Sequence, residues 1–306
     1  MRSLKISFLM LFCIASAQAE VLEVGPGKKF EQLQQAVFAA QAGDTLRLTP
    51  GDHYDCAIVT KSDLIIEGAG KPEETSLTDK PCGGKAALVT MGENTTVRNL
   101  TLTRMRVPDG NGAGIRMEGR NLTVDHVRFI NNEEGILGGL TPESVLTIRD
   151  SEFVHNGTCE QGCAHGVYVG QIALLHIERS RFYETMTAHH IKSRAARTEV
   201  IDCDIEDGPN GTASYEIELP IGGALLARGN TIVKGPKAEN HTAAIMIGSE
   251  GVSQPTPELV IENNTFRKDG AYSTTFVVNS SATPAQLVGN NIQSGIKPLR
   301  GDGSVR

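Results

Sequence analysis

The 306-residue chain has no tryptophan, and its aromatics amount to nine phenylalanines and five tyrosines. Sugar-binding clefts built on aromatic platforms therefore have little to draw on. After residue 19 there is no long apolar run, so a membrane-spanning helix is not expected in the body of the chain. The formal charge of -7 argues against general nucleic-acid binding. Low-complexity linkers are missing as well, and paired aspartates of the form Asp-Asp do not occur.

The opening "MRSLKISFLMLFCIASAQA" carries Arg2 and Lys5, then an apolar stretch, then Ala17-Gln18-Ala19. That order reads as a signal peptide over 1–19, followed by a single domain over 20–306 in the periplasm or outside the cell, with no membrane anchor. Five cysteines follow the leader. An oxidising compartment permits Cys56–Cys82 and Cys159–Cys163 bridges, with Cys203 left over inside "VIDCDI". A zinc site on "CEQGC" with His165 is a weaker alternative, because no second paired motif accompanies it.

What is abundant is glycine, 33 residues, set among short alternating segments. "TTVRNLTLTR", "LTVDHVRFINN", "LTIRDSEFVHN", "LHIERSRFYET", "TEVIDCDIEDG", "LLARGNTIVKG" and "LVIENNTFRKD" are copies of strand, polar turn, strand. They recur about every two dozen residues, and a last short copy is "LVGNNIQSG". Between them lies another strand: "AGIRM", "EGILGG", "HGVYVG", "HHIKS", "YEIEL", "AAIMIG" and "TFVVN". Three short strands per repeat specify an all-β chain wound as a parallel β-helix, with coils over about 45–295. Leucine-rich repeats have similar periods but need a regular Leu-rich consensus, which is absent. Alternation places Ile115, Ile136, Val167, Ile191, Ile217 and Ile245 inside the coil. The segment 28–42 reads as an amphipathic helix capping the open end of the solenoid.

The cap followed by "AGDTLRLTPGDHY" and "LIIEGAG" resembles the pectate-lyase-like right-handed parallel β-helix superfamily, over nearly the whole chain beyond the leader. That resemblance implies the fold. Members include lyases, epimerases and hydrolases of polysaccharides, together with autotransporter passengers and phage tailspikes, so it does not choose a reaction.

Aligned on Val167, Ile191 and Ile217, one outward column reads Gly166, His190, Glu216 and the next Tyr168, Lys192, Glu218. Arg194 extends the positive side; His165 and Glu134 lie at one margin, Glu250 and His241 at the other. Singly, each is an ordinary surface residue, and Lys192 with Glu218 is an ordinary cross-rung ion pair. Their concentration on three consecutive coils points to a site. Lys192, His190, Tyr168, Arg194 and His165 are the candidate catalytic groups for β-elimination from a uronate: a base for the C5 proton, an acid for O4, and positive charge for the enolate. Arg197, Tyr215 and Glu250 are candidate substrate-binding residues for an acidic polysaccharide or oligosaccharide. Glu216 and Glu218 offer hard oxygen ligands of the kind Ca²⁺ takes, and some β-helix lyases resemble this mixture of Lys, Arg and acidic calcium ligands. A C5-epimerase would use nearly the same set. Glu216 and Glu218 also suit an inverting glycoside hydrolase, and a non-catalytic role in polysaccharide binding or as an envelope scaffold stays open.

Overall fold

A computed structural model of the chain describes residues 18–139 and 141–306. The expected leader falls mostly on residues 1–17, outside the described residues. The rest is a parallel β-solenoid: every ladder between its strands is parallel. One ten-stranded sheet forms one face of the coil, and the other two faces are joined into a twenty-stranded sheet. The join is made by two long strands, Glu93–Thr103 and Arg120–Ile130, which pair on both sides of the corner, with Asn99 and His126 left out of the ladder at the turn.

The corner explains the polar turn in each repeat. Asn99, His126, Asp150, Arg179, Asp202 and Asn263 all take φ near 50°, with Gly229 and Gly289 at the equivalent points of later coils. A left-handed residue turns the chain sharply enough for the next strand to start on a new face. Asn, Asp and Gly accept that conformation at least cost. Amide side chains span the rungs at two corners of the coil. Asn230, Asn264 and Asn290 come right after the left-handed Gly229, Asn263 and Gly289, and Asn132 and Asn156 stand at the next corner. Asn132 Nδ2 donates to Asn156 Oδ1 at 3.1 Å, Asn230 Nδ2 to Asn264 Oδ1 at 2.8 Å, and Asn264 Nδ2 to Asn290 Oδ1 at 2.9 Å.

Inside, like stacks on like. Ile115, Ile136, Val167, Ile191, Ile217 and Ile245 are fully buried in one column, as alternation predicts. Each contributes about 1.5–3 kcal/mol by leaving water. Phe129, Phe153 and Phe182 stack face to face at 4.5 Å centroid spacing. The cap helix spans Leu33–Ala39, shorter than the expected 28–42, because residues 25–30 are folded into a turn by Gly25 N–H to Phe30 O and Lys28 N–H to Gly25 O, and Ala40 is already extended. Its Leu33, Ala36 and Val37 bury fully against the end of the coil. Strands also continue past residue 295, to Gly303–Val305. Bridges Cys56–Cys82 and Cys159–Cys163 are both present and Cys203 is free and buried, which removes the zinc reading.

Candidate functional site

The candidate site lies on the ten-stranded sheet, on three successive strands: Val167–Val169, His189–Ser193 and Tyr215–Leu219. Simple alternation fails at the start of these strands. Ahead of His189, Thr187 and Ala188 both take left-handed φ, 61° and 53°. That is a costly conformation for a β-branched residue, and one held here by its surroundings. Thr187 N–H donates to Thr212 Oγ1 at 2.9 Å, and Ser214 N–H to Ala188 O at 2.6 Å. The chain leaves this kink with His189 facing out and both His190 and Ile191 facing in.

One column is therefore corrected. Gly114, Gly135, Gly166, His190 and Glu216 occupy equivalent positions and face the interior, not the groove. A Cβ at Gly114 or Gly135 would come within 2.5 or 2.8 Å of the Phe129 or Phe153 ring. His190 is fully buried. Its Nδ1 lies 2.7 Å from Thr185 Oγ1, its Nε2 lies 3.0 Å from Asp207 Oδ1, and its ring meets the edge of Phe182. Glu216, also fully buried, is paired with the equally buried Lys234 at 3.1 Å, and Lys234 donates to Ser214 O at 2.8 Å. Burial pushes the Glu216 carboxyl up to about 8, with Lys234 pulling the other way. Asp207 Oδ2 accepts from Gly235 N–H. Burial would raise the Asp207 carboxyl as well, but the contacts with His190 and Lys234 outweigh it and hold Asp207 low. Neither His190 nor Glu216 can touch a polymer passing outside.

The outward set is built from two columns. Tyr168, Lys192 and Glu218 stand side by side, as alternation predicts. The column beside them reads Glu134, His165, His189 and Tyr215. His189 is the residue sequence reasoning missed; the "HH" pair held the signal, but strict alternation turns out the wrong imidazole, because the residue before the apolar column faces inward on every one of these rungs. Tyr215 N–H donates to His189 Nδ1 at 3.3 Å, so the imidazole proton sits on Nε2, 3.0 Å from Glu218 Oε2.

Glu218 anchors the cations. Its Oε1 accepts from Ser249 Oγ at 2.6 Å, and its Oε2 lies 3.4 Å from Lys192 Nζ. Burial raises this carboxyl, yet His189, Ser249 and Lys192 together bring it down to about 2. Lys192 Nζ also reaches Glu250 Oε1 at 3.0 Å. Arg194 donates from Nη2 to Glu250 Oε2 at 2.6 Å and from Nε to the Tyr168 hydroxyl at 2.9 Å. Lys192 Nζ stands 5.6 Å from the Tyr168 ring centre. Desolvation keeps His165 neutral, well below the usual imidazole range, and the nearby His189 and Lys192 add to the effect. Burial likewise pushes the Glu134 carboxyl far up, beyond the pull of Arg116 and Lys192.

Two other candidates are not brought to this patch. Arg197 opens a strand of the other sheet, where Glu199 and Glu258 hold it. His241 stacks on Tyr272 at 3.7 Å. The calcium pair does not fit, because Glu216 and Glu218 point to opposite sides of one strand and Glu216 is closed in by Lys234. Among the described residues, Asp125, His126 and Asp150 do converge closely enough to hold an ion, but on a different face, where Arg179 already pairs with Asp150.

The family model for the right-handed β-helix region matches residues 139–301. Among solved structures, an alginate lyase from Paenibacillus sp. str. FPU-7 superposes with a TM-score of 0.72 at 18% identity, over 93% of this chain and 99% of that one. ORF18 of Geobacillus virus E2 gives a TM-score of 0.53 at 12% identity, and the match spans 87% of this chain and about half, 55%, of that one. Stacked parallel coils, left-handed corners and a model match over more than half of the sequence agree: the chain belongs to the right-handed parallel β-helix family.

Proposed function

We propose that this chain is an exported polysaccharide-active enzyme that cleaves an acidic, uronate-containing glycan by β-elimination. The observation that carries this reading is the contact of Arg194 Nε with the Tyr168 hydroxyl at 2.9 Å, beside Lys192 on the same rung. The proton to be removed, on C5, is adjacent to the uronate carboxylate. A group touching the cation that holds the carboxylate is therefore near C5.

Arg194 and Lys192 supply the positive charge on which the carboxylate rests and which stabilises the enolate-like intermediate. Tyr168 and Lys192 form the proton-transfer pair: Tyr168, as its phenolate, takes the C5 proton, and the Lys192 ammonium supplies the proton that O4 needs as the C4–O4 bond breaks. His189 and Glu218 hold Lys192 in place. The two disulfides fit an oxidising compartment, and no helix among the described residues is long and apolar enough to cross a membrane. The Paenibacillus alginate lyase is a precedent for elimination on this fold, though at 18% identity the likeness itself extends only to the fold. A hydrolase using Glu216 with Glu218 loses its pair, because Glu216 is enclosed.

The test is the ultraviolet absorbance of the unsaturated product, with alginate, pectate, glycosaminoglycans and bacterial exopolysaccharides as substrates. The reading expects a rise on at least one polymer, lowered about 10²–10⁴-fold by Tyr168→Phe with the melting temperature unchanged. A flat trace on all of them counts against elimination. Altered C5 stereochemistry without cleavage would turn the assignment to epimerisation, and binding without either change to a polysaccharide-binding protein.

A further inference from the structure

Glu250 differs from the other carboxylates of the patch. Glu218 is closed in at 3% exposure, whereas the Glu250 side chain is 43% exposed. It reaches the cations from a separate segment, the turn over Gly248–Gly251, which bends through left-handed glycines at both ends, φ 78° and 90°. Three backbone hydrogen bonds tie that turn down: Gly248 N–H to Leu219 O, Glu250 N–H to Pro220 O and Gly251 N–H to Gly248 O. The two carboxylate oxygens are shared out, Oε1 to Lys192 and Oε2 to Arg194.

We propose that Lys192 and Arg194 form a carboxylate-binding subsite, and that Glu250 is its built-in occupant, displaced when a uronic-acid carboxylate arrives. The proposal rests on the uronate reading above, and it adds where the sugar carboxylate sits and which group competes for that place. The exchange is balanced in kind: one carboxylate leaves an ammonium and a guanidinium, and another takes over the same donors. Glu218 stays, so Lys192 is never stripped of counter-charge. A neutral sugar has nothing to offer in return for the broken contacts, so the occupant selects against uncharged glycans. Because Glu250 is tethered, it competes as an intramolecular ligand at high effective concentration and weakens every incoming carboxylate alike.

Glucuronate and glucose are titrated by NMR against the full chain, as wild type, Glu250→Gln and Glu262→Gln. Glu262 is a carboxylate on another face, paired with Arg228, and controls for net charge. Glucuronate should bind Glu250→Gln about five- to tenfold more tightly than wild type, in keeping with removal of a partly exposed ion-paired competitor. Glu262→Gln should match wild type, and glucose should bind none of them. Equal or weaker binding to Glu250→Gln overturns the proposal, as does absence of glucuronate binding throughout or the same gain in Glu262→Gln. Tightening without unsaturated product from any polymer would sink the elimination reading and leave the subsite standing. Product formation without tightening would do the reverse.

Discussion

The same two strands, His189–Ser193 and Tyr215–Leu219, carry a charged cluster on each side. Inside the coil are His190, Asp207, Glu216 and Lys234, all fully buried, with His190 and Asp207 engaged on two sides and Lys234 shared between Glu216 and Ser214 O. Outside are Tyr168, Lys192, Arg194, Glu218 and Glu250, partnered as well, but through contacts that reach solvent and a displaceable turn. Residue types do not separate the clusters; each has carboxylate and lysine, and each has a histidine beside it. Access and exchangeable partners do. The inner set holds a corner of the solenoid together, and the outer set is where chemistry on a polymer can occur.

The contrast is sharpest for Lys192. Lys192→Ala should lower turnover on a responsive acidic glycan about 10³-fold, with only a small fall in the urea midpoint, since the half-buried Lys192 leaves Glu218 with His189 and Ser249 as partners. Glu216→Ala should do the opposite. With its carboxyl raised to about 8, Glu216 meets Lys234 largely as a neutral hydrogen-bonding group near neutral pH. Its loss leaves the buried ammonium short of a partner beside a cavity, at a cost of about 3–5 kcal/mol of stability, while the fraction that remains folded should turn over normally. His190→Ala comes next in size: two buried hydrogen-bond partners, Asp207 and Thr185, lose their imidazole, at a cost of about 2–4 kcal/mol read in the same denaturation experiment.

The smallest effect is one of pH. His165 is held neutral in the folded protein, while in the unfolded chain it takes a proton below pH about 6.5. The unfolded state then binds more protons, so the His165 contribution is present above that pH and fades as pH falls below it, by up to about 1.4 kcal/mol per pH unit. Glu134 works with the other sign: its raised carboxyl favours the folded state at low pH, and that advantage is lost as pH rises from the ordinary carboxylate range up through its raised folded value. Between pH about 5 and 6.5 the two slopes oppose each other. His165→Asn should therefore leave the Glu134 slope uncompensated and tilt the profile toward falling stability with rising pH, read as the urea midpoint at each pH.

Much of the solenoid was legible because its information is periodic. Ile115 to Ile245 at matching points of successive repeats fixed which residues meet, and the Cys56–Cys82 and Cys159–Cys163 bridges are the pairs expected for an oxidising compartment. Tyr168, Lys192 and Glu218 were legible for the same reason, lying one residue after that apolar column. The residues before the column were not. On each rung the residue just before the apolar column also turns inward, a break in alternation that inverts the roles of His189 and His190, and the left-handed Thr187 and Ala188 ahead of them carry no glycine or asparagine to announce it. Glu250 was placed at the margin, but its bridging of Lys192 and Arg194 depends on the path of a loop, which strand periodicity does not describe.

The account's central claim is that the outer face acts and the inner face supports. The most direct measurement compares initial rates of unsaturated-product formation for wild type, Lys192→Ala and His190→Ala, each corrected for its folded fraction, on the glycan that gives the strongest response. The account predicts a wild-type rate for folded His190→Ala and a nearly flat trace for Lys192→Ala. A Lys192→Ala protein that retains the wild-type rate, with a folded His190→Ala protein that loses it, would contradict the account and place the chemistry inside the coil.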